Sequence, residues 1–404
     1  MSNSKKSSIR GDHTQHRSPA PESNASQMRF FATCARGIEP VLAAELRNLG
    51  AAEIETGRGG VHFWGDRDLL YRANLWLRTA VRVLWPILRV SVSSPDDLYE
   101  TVRSIDWARY LTADHTIAVD CNVRDSQITH SHYAALRTKD AICDQFLERT
   151  GRRPSVDVAE PMVGLNLHIY RDEAVLSLDS SGESLHKRGY RPIQTKAPLN
   201  EALAAALILF SGWTKDTAFV DPLCGSGTLP IEATWMAIGR PPGLTRRRFG
   251  FQGWLDFDIE RWTEIRDLAR QSIRKELAAP IVGSDLRRDA TDLAVRNARA
   301  AGIGHLVQFA VRNLHDFRPP APTGTLVCNP PYGERLGTEA ELKELYTTLG
   351  EVLHERCRGW QAFVFTGNPS LGDRLSSSAK MLPVERRSLF NGRIPCQLLH
   401  FEPS

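Results

Sequence analysis

The chain has 404 residues, more than one ordinary domain holds, so we expect two or three domains. Hydrophobic residues make up 42% and charged residues 24%, as in a soluble globular protein, and a net charge of +4 permits a nucleic-acid partner without requiring one. The seven cysteines include no C-x-x-C pair, which argues against a metal site and a disulfide framework. Because no apolar run is long enough for a membrane span or a secretory signal, we expect a cytoplasmic protein.

The N-terminal part of the chain is predicted to be a tail followed by a small folded unit. Residues 1–28 are rich in Ser, Asn, Gln and Pro and poor in large apolar groups, so we expect them to be disordered. A strand, a helix ending at Gly50, two strands separated by glycines and a helix capped by Asp66 then follow in order. This β-α-β-β-α pattern predicts a ferredoxin-like unit at residues 29–70.

The next segment, residues 71–182, is predicted to be an α+β domain. Its main feature is an amphipathic helix from Ser131 to Thr150, which carries Arg137 and Lys139 on its exposed side. Cations in this position either contact RNA or are only solvated, and the residues alone leave both interpretations open.

A basic linker is predicted at residues 183–197. Lys187, Arg188 and Arg191 lie close together with Tyr190 between them, which makes this segment a candidate for contacts to RNA phosphates. The alternative is an ordinary surface connection between two domains.

From residue 198 to residue 404 the pattern changes to a regular alternation of strands and helices, typical of a parallel sheet. The dipeptide Asn391-Gly392 between two apolar runs predicts a hairpin at the end. A parallel sheet that closes with an antiparallel hairpin is the α/β, Rossmann-like architecture of class I, S-adenosylmethionine-dependent methyltransferases.

A glycine-rich loop is predicted after the first strand of this region, in the stretch from Asp221 through Cys224, Gly225 and Gly227 to Thr228. Its glycines allow the backbone to approach a ligand, and the helix that follows adds N–H donors. The loop is neither a P-loop nor a dinucleotide-binding fingerprint. It fits the turn that wraps the methionine part of S-adenosylmethionine.

Polar residues also end the next two strands. Asp285 is placed to accept hydrogen bonds from both hydroxyls of a ribose, and Asn313 to meet the adenine amino group. The alternative for each residue is a helix cap. The three strand ends together predict the binding site for the cofactor S-adenosylmethionine.

The stretch Asn329-Pro330-Pro331-Tyr332 follows a buried strand, and the prolines force the chain to stop at the edge of the sheet. The side-chain oxygen of Asn329 and the carbonyl of Pro330 can each accept one N–H of a planar amino group, while Tyr332 can stack on its ring. Cys328 could instead be a nucleophile, as in carbon-5 cytosine methylation, but a buried strand residue is the simpler interpretation.

On these residues the sequence resembles the THUMP-domain RNA methyltransferases, and within them the enzymes that methylate guanine N2 of large-subunit ribosomal RNA. The resemblance is carried by residues 221–228, 283–285, 329–336 and 184–191, and it covers nearly everything after residue 29. It implies that residues 71–182 form a THUMP domain, that S-adenosylmethionine is the cofactor, and that the partner is large-subunit RNA or its assembly intermediate.

Two positions depart from the family pattern. Asn313 stands where the family usually has Asp, and Asn200 where Lys is common. Some relatives carry a second methyltransferase after this one, and we do not expect a second modification from this chain.

Several alternative functions remain open from the sequence. The Asn-Pro-Pro-Tyr motif also occurs in adenine-N6 methyltransferases and in protein glutamine methyltransferases. A further alternative is an enzyme that methylates guanine N2 in tRNA. An alternative outside enzymology is an RNA-binding ribosome-assembly factor with an inactive methyltransferase fold.

Overall fold

The computed structural model describes Met1 and residues 27–191, 199–333 and 338–404. Most of the predicted disordered tail therefore lies outside the described residues. The same holds for residues 192–197 of the predicted linker, for residue 198, and for residues 334–337, of which 334–336 carry part of the family resemblance.

The N-terminal half is an α+β module built on one sheet. Its helices and strands are β1 (Met28–Thr33), α1 (Glu39–Asn48), β2 (Ala52–Gly57), β3 (Gly60–Gly65), α2 (Arg67–Trp76), β4 (Arg82–Ser91), α3 (Pro95–Arg103), a 3-10 turn (Trp107–Arg109), β5 (Thr116–Arg124), α4 (Ser131–Thr150), β6 (Ser155–Val156), β7 (Val163–Tyr170) and β8 (Glu173–Asp179). The eight strands lie in the order β2-β3-β1-β4-β8-β7-β5-β6. The sheet is thus continuous across residue 70, because β4 pairs with β1 on one side and with β8 on the other.

Local sequence accounts for several ends and bends in this module. The side chain of Asp66 accepts the N–H of Leu69 at 2.8 Å and so caps α2, as predicted. Helix α4 ends at Gly151, which adopts the left-handed φ of +69°. Within β4, the register with β8 shifts between Pro86 and Leu88, because a proline cannot donate to the ladder.

The C-terminal half is a Rossmann-like domain. Its helices and strands are α5 (Glu201–Phe210), β9 (Ala218–Asp221), α6 (Thr228–Ala237), 3-10 turns at Pro242–Thr245 and Gly250–Gly253, α7 (Ile259–Gln271), β10 (Ile281–Asp285), α8 (Arg288–Ala300), β11 (Gln308–Val311), a 3-10 turn at Leu314–Asp316, β12 (Gly324–Cys328), α9 (Glu339–Arg356), β13 (Trp360–Thr366), α10 (Pro369–Ala379), β14 (Glu385–Asn391) and β15 (Ile394–Phe401). The sheet order is β11-β10-β9-β12-β13-β15-β14. Strands β9 to β13 are parallel, and β14 and β15 form the predicted antiparallel hairpin.

The strand order determines where a ligand can bind. The chain runs outward from β9 through β10 to β11, and then returns to place β12 on the other side of β9. The carboxyl ends of β9 and β12 therefore meet at the point where the order reverses, which is where open α/β sheets bind their ligands. The glycine loop follows β9, and the Asn-Pro-Pro-Tyr stretch follows β12.

Two apolar cores cover the faces of this sheet. One is continuous with the core of the N-terminal module and contains residues of α5, α6 and α7. The other lies beneath α9 and α10. No helix in the described ranges is both long enough and apolar enough to cross a membrane.

The junction between the two halves is held by a buried polar cluster. The guanidinium of Arg188 pairs with the carboxylate of Glu232 and donates to the backbone carbonyl of Arg78. The hydroxyl of Tyr190 donates to the other oxygen of Glu232 at 3.0 Å. Arg246 adds hydrogen bonds to four backbone carbonyls between residues 181 and 187. Residues 183–191 are therefore an ordered part of the interface.

Candidate functional site

The glycine loop leads from β9 into α6, and its two glycines have different roles. Gly225 and Gly227 have φ angles of +51° and +81°, which favour glycine over other residues. A Cβ on Gly227 would lie 2.9 Å from both Ala294 and Phe309, so this position requires glycine for packing. A Cβ on Gly225 would meet no atom within 4 Å, which means that its backbone faces open space where a ligand can approach.

The end of β10 holds the glycine loop. The backbone N–H of Gly225 donates to Oδ2 of Asp285 at 2.9 Å, while Oδ1 accepts the N–H of Arg287 at 3.0 Å. From α8, the Nδ2 of Asn297 donates to the carbonyl of Ser226 at 2.9 Å. The structure thus brings Asp285 and the loop together, with the Asp285 side chain ordering the loop.

Asp221 lies at the end of β9 and is only 2% exposed. Its Oδ1 accepts the N–H of Leu223 at 3.1 Å. Burial raises the pKa of the Asp221 carboxyl well above its usual range, and the nearby charge of Asp285 raises the pKa further. A ligand that supplied a cationic donor would favour the ionised form, so Asp221 suits the binding of a positively charged group.

The remaining two residues predicted in the loop are packed inside the domain. Cys224 is buried, and burial raises the pKa of its thiol well above the usual range, so it stays neutral. Thr228 is the first residue of α6 and is also buried.

Asn313 follows β11 and is a cap. Its Oδ1 accepts the N–H of His315 at 3.0 Å and begins the 3-10 turn at Leu314–Asp316. This is the capping alternative that the sequence left open for Asn313.

The Asn-Pro-Pro-Tyr stretch lies where β12 ends, with Pro330 buried and Asn329 and Pro331 partly buried. The Oδ1 of Asn329 is buried and has no donor among the residues that the structure describes. Because a buried acceptor without a partner is rare in native proteins, it is a strong indication of a ligand donor at this position.

The ring of Tyr332 is fixed by residues from the last strands. It packs on Gly367, where a Cβ would lie 2.7 Å from Cε2 of the ring. Its hydroxyl accepts a hydrogen bond from Nδ2 of Asn391 at 2.9 Å. Burial raises the pKa of Tyr332 to about 12, so the phenol is neutral at physiological pH.

Cys328 is fully buried inside β12. Burial raises the pKa of its thiol well above the usual range. Because the thiolate is the nucleophilic form, this environment supports the interpretation of Cys328 as a packing residue.

The basic residues predicted to contact RNA fall into two groups. Arg188 is 1% exposed, and Arg191 is bound to Glu201 at 2.7 Å with its side chain 9% exposed. Neither guanidinium faces solvent in the described structure, which argues against the predicted RNA contacts of Arg188 and Arg191. Each guanidinium instead forms an ion pair with a buried glutamate, Arg188 with Glu232 and Arg191 with Glu201.

The other predicted cations lie at the surface, and each has an acidic neighbour. Lys187 is about half exposed and pairs with Glu183 at 3.1 Å. Arg137 pairs with Asp96 at 2.7 Å, and Lys139 pairs with Asp140. The pair of Lys187 is exposed on both sides and therefore weak, whereas the side chains of Arg137 and Lys139 are only 23% and 24% exposed.

Two supporting residues were missed from the sequence. Asn297 anchors the glycine loop, and Asn391 holds the phenol of Tyr332. An asparagine on the buried side of the amphipathic helix α8 was a usable signal for Asn297. For Asn391, the sequence gave no signal of a contact with Tyr332 and indicated only a place in the hairpin turn.

Family comparisons agree with this domain order. Residues 188–400 match the family described as "RMKL-like, methyltransferase domain", residues 29–84 match the RlmL ferredoxin-like domain, and residues 92–179 match the THUMP domain. The first of these matches covers more than half of the chain.

Relatives over nearly the full chain support the same family. "Putative RNA methyltransferase slr0064" of Synechocystis sp. is 44% identical over 381 residues, which cover 94% of this chain and 98% of that protein. "Ribosomal RNA large subunit methyltransferase K/L" of Syntrophotalea carbinolica is 47% identical over 387 residues, which cover 93% of this chain. These residues cover 53% of that relative, so the chain spans about half the length of the K/L proteins it matches.

Solved structures show the same architecture. The methyltransferase SMU.472, crystallised with SAH, aligns with a TM-score of 0.85 and 30% identity over 94% of this chain and 98% of that one. A structure from Listeria monocytogenes named as an N6-adenine-specific DNA methylase has a TM-score of 0.83 and 31% identity, over 94% and 97% of the two chains. The chain belongs to the RMKL-like methyltransferase family, has the class I fold, and uses S-adenosylmethionine as its cofactor.

Proposed function

We propose that the chain transfers a methyl group from S-adenosylmethionine to the exocyclic N2 of a guanine in large-subunit ribosomal RNA. The observation that carries the proposal is the buried Oδ1 of Asn329 at the end of β12, which accepts from no donor in the part of the chain that the structure describes. It lies at the carboxyl edge of the sheet, where β9 and the glycine loop also end.

The residues at this edge fit the cofactor. Gly225 offers open backbone, and Asp221 is a buried carboxyl suited to the ammonium of the methionine moiety. The carboxylate of Asp285 would accept hydrogen bonds from the ribose hydroxyls, in addition to the one that it accepts from the N–H of Gly225. When bound, S-adenosylmethionine supplies an electrophilic methyl group on its sulfonium.

The protein's contribution to transfer is orientation and electrostatics. Asn329 Oδ1 and the Pro330 carbonyl accept the two N–H groups of the target amine, which directs its nitrogen lone pair. Tyr332, held by Gly367 and Asn391, stacks on the base. Two neutral acceptors also favour the positive charge that develops on the nitrogen during transfer. This mechanism requires no covalent intermediate with the enzyme.

An RNA substrate is supported by the domain in front of the methyltransferase. The THUMP match and the relatives with ribosomal names favour RNA over DNA or protein as the acceptor. We assign Lys187 and the partly exposed Arg137 and Lys139 to RNA phosphates, so RNA affinity should fall as salt concentration rises.

The choice of guanine N2 rests on the family resemblance. Guanine N2 is engaged in base pairing inside a helix, so the target must be unpaired or flipped out. Deproteinised RNA or an assembly intermediate should therefore be a better substrate than the mature subunit.

The test is methylation of extracted large-subunit RNA with labelled cofactor, followed by nucleoside analysis. The RNA should come from a strain that lacks the gene, with tRNA, DNA and bulk protein in parallel reactions. Label in N2-methylguanine of the large RNA supports the proposal. Label in N6-methyladenine, or only in tRNA, DNA or protein, would overturn it.

A further inference from the structure

A small pocket lies between the N-terminal module and the methyltransferase domain, away from the residues described above. It has a volume of about 130 Å³. The N-terminal module contributes Trp85, Arg109 and Tyr110, and the methyltransferase domain contributes residues 254–256. The pocket therefore spans the junction of the two halves.

Aromatic rings form much of the pocket wall. The ring of Trp85 lies 5.9 Å from that of Tyr110 in an edge-to-face arrangement, and 5.7 Å from that of Trp254. The guanidinium of Arg67 is 4.4 Å from the ring of Trp85 and 5.1 Å from that of Trp254, and it pairs with Asp256. These contacts hold the two tryptophans in place.

Two donors in this cluster have no acceptor. The indole N–H of Trp254 and the Nη1 of Arg67 are buried, and within the described ranges no oxygen accepts from either of them. Trp254 is 6% exposed and is part of the pocket wall. Because buried donors are nearly always satisfied in native proteins, the N–H of Trp254 in the pocket wall points to a ligand that carries an acceptor atom.

A cation stands at the edge of the pocket. Arg109 is exposed, and its guanidinium lies 5.9 Å from the ring of Tyr110. Among the described carboxylates, none lies within ion-pair distance of Arg109. The edge of the pocket is thus suited to a negative charge.

We propose that this pocket binds an unpaired nucleotide of the RNA substrate, other than the one that is methylated. A nucleotide would supply a partner for each of three groups at the pocket: a flat ring for Trp85 and Tyr110, a carbonyl acceptor for the buried N–H of Trp254, and a phosphate for Arg109. An acidic peptide would supply the charge and acceptors without the ring. The proposal rests on the RNA methyltransferase function above and assigns a second contact to the same substrate.

The location gives this contact a consequence for function. A nucleotide held by residues of both halves would fix the RNA relative to the methyltransferase domain and to the N-terminal module together. Selection of the target guanine would then depend partly on an unpaired nucleotide elsewhere in the RNA.

The experiment uses the full chain and the variants Arg109→Glu and Tyr110→Leu. Arg149→Glu is the matched control, because Arg149 is an exposed arginine of the same module with no part in the pocket. Affinity for a short, single-stranded oligoribonucleotide and for extracted large-subunit RNA would be measured by fluorescence anisotropy. Affinity for S-adenosylhomocysteine and the melting temperature would be measured on the same samples.

We expect Arg109→Glu and Tyr110→Leu each to weaken RNA binding about tenfold, the size of effect expected for one stacked or charge-paired nucleotide. Arg149→Glu should have a clearly smaller effect, and cofactor affinity should stay unchanged in all three. RNA containing 4-thiouridine should cross-link under ultraviolet light to the peptide that contains Tyr110 or to the one that contains Trp254.

Two results would overturn the proposal that this pocket binds a nucleotide. One is RNA binding by Arg109→Glu no weaker than that of Arg149→Glu, a comparison that holds even if Tyr110→Leu does not fold. The other is the absence of cross-links to both peptides while the wild type still methylates RNA. Failure of the wild type to methylate any RNA would instead refute the proposed function, and the pocket with it.

Discussion

The backbone N–H of Gly225 donates to Oδ2 of Asp285 at 2.9 Å, so the carboxylate expected to bind a ribose also holds the loop expected to bind the methionine part. The other oxygen of Asp285 accepts the N–H of Arg287 and shapes the start of α8. One side chain thus connects two parts of the cofactor site. Its removal should affect both the direct contact and the order of the glycine loop.

Replacing Asp285 with Ala should weaken the binding of S-adenosylhomocysteine by about 1.5–3 kcal/mol, the usual range for hydrogen bonds to a charged group. Calorimetry measures the change directly. Asp289→Ala is the control, because Asp289 is exposed in the first turn of α8 and, among the described residues, its side chain pairs with Arg287. An unchanged dissociation constant for Asp285→Ala would mean that Asp285 serves only as a structural cap.

The parts of the fold that depend on local pattern were predictable from the sequence. Helix α4 has the predicted bounds, because the helical spacing of apolar residues is clear within the segment. Helix α10 was missed, since Gly372 and a run of serines have low helix propensity. Its formation depends on packing of Leu371 and Leu375 against the second core, which no local pattern reveals.

In the candidate site too, the features that depend on local sequence pattern were predictable. The motifs that follow strands predicted that the glycine loop, Asp285 and Asn329 lie at one edge of the sheet, because parallel strands bring their carboxyl ends together, and their roles there stay predictions. The burial of Arg188 was not predictable, since its partner Glu232 lies 44 residues further along the chain. A short basic sequence gives no sign of whether such a distant partner exists.

The buried carboxyl of Asp221 should make the stability of the cofactor-free protein depend on pH. Its pKa in the folded chain is raised above that in the unfolded chain. Its stabilising contribution is therefore fully present below the unfolded pKa and is lost as pH rises through the folded pKa. Asp221→Asn removes this dependence. The melting temperature of the variant should therefore increase relative to that of the wild type as pH rises from acidic to neutral.

The same variant should bind S-adenosylhomocysteine more weakly, because the charge that pairs with the ligand ammonium is gone. Differential scanning fluorimetry across pH and calorimetry at neutral pH measure the two effects. A stability difference that is constant across pH would show that Asp221 does not titrate in the folded chain above its ordinary range.

Arg188 and Glu232 form a buried pair whose separation should be costly. Arg188→Met leaves Glu232 without its ion-pair partner and should lower the free energy of unfolding by about 3–5 kcal/mol. The double variant Arg188→Met/Glu232→Met should recover much of that loss, because neither charge of the pair remains. Arg149→Ala, which breaks an exposed pair with Asp106, should cost less than about 1 kcal/mol. Denaturant titration of these variants and of the single variant Glu232→Met tests the cycle, and strictly additive losses would contradict a buried pair.

Asn329→Ala should reduce the rate of methyl transfer by at least about a hundredfold, since one catalytic hydrogen bond is worth roughly 3 kcal/mol and the orientation of the amine is lost as well. Affinity for S-adenosylhomocysteine should remain close to that of the wild type. Cys328→Ala is the companion variant, and it should retain transfer because its thiol is buried and neutral. Single-turnover assays decide between them, and the reverse pattern would favour covalent catalysis by Cys328.

Tyr332 should act through its ring, and its position should depend on Gly367 and Asn391. Tyr332→Phe and Asn391→Ala each remove the same 2.9 Å hydrogen bond, so they should cause similar, small losses of transfer that do not add in the double variant. Tyr332→Ala should cost about 1–3 kcal/mol in kcat/KM for RNA, because base stacking is lost.

Gly367→Ala offers a test that leaves the tyrosine in place. The added Cβ would lie 2.7 Å from the ring of Tyr332 and must displace that ring. The rate of methyl transfer should therefore fall toward that of Tyr332→Ala. Cofactor affinity should be unchanged in every variant of this set. Since the pKa of Tyr332 is about 12, the wild-type pH profile should show no phenol titration near neutrality. If Tyr332→Phe lost as much activity as Tyr332→Ala, the hydroxyl rather than the ring would be the functional group.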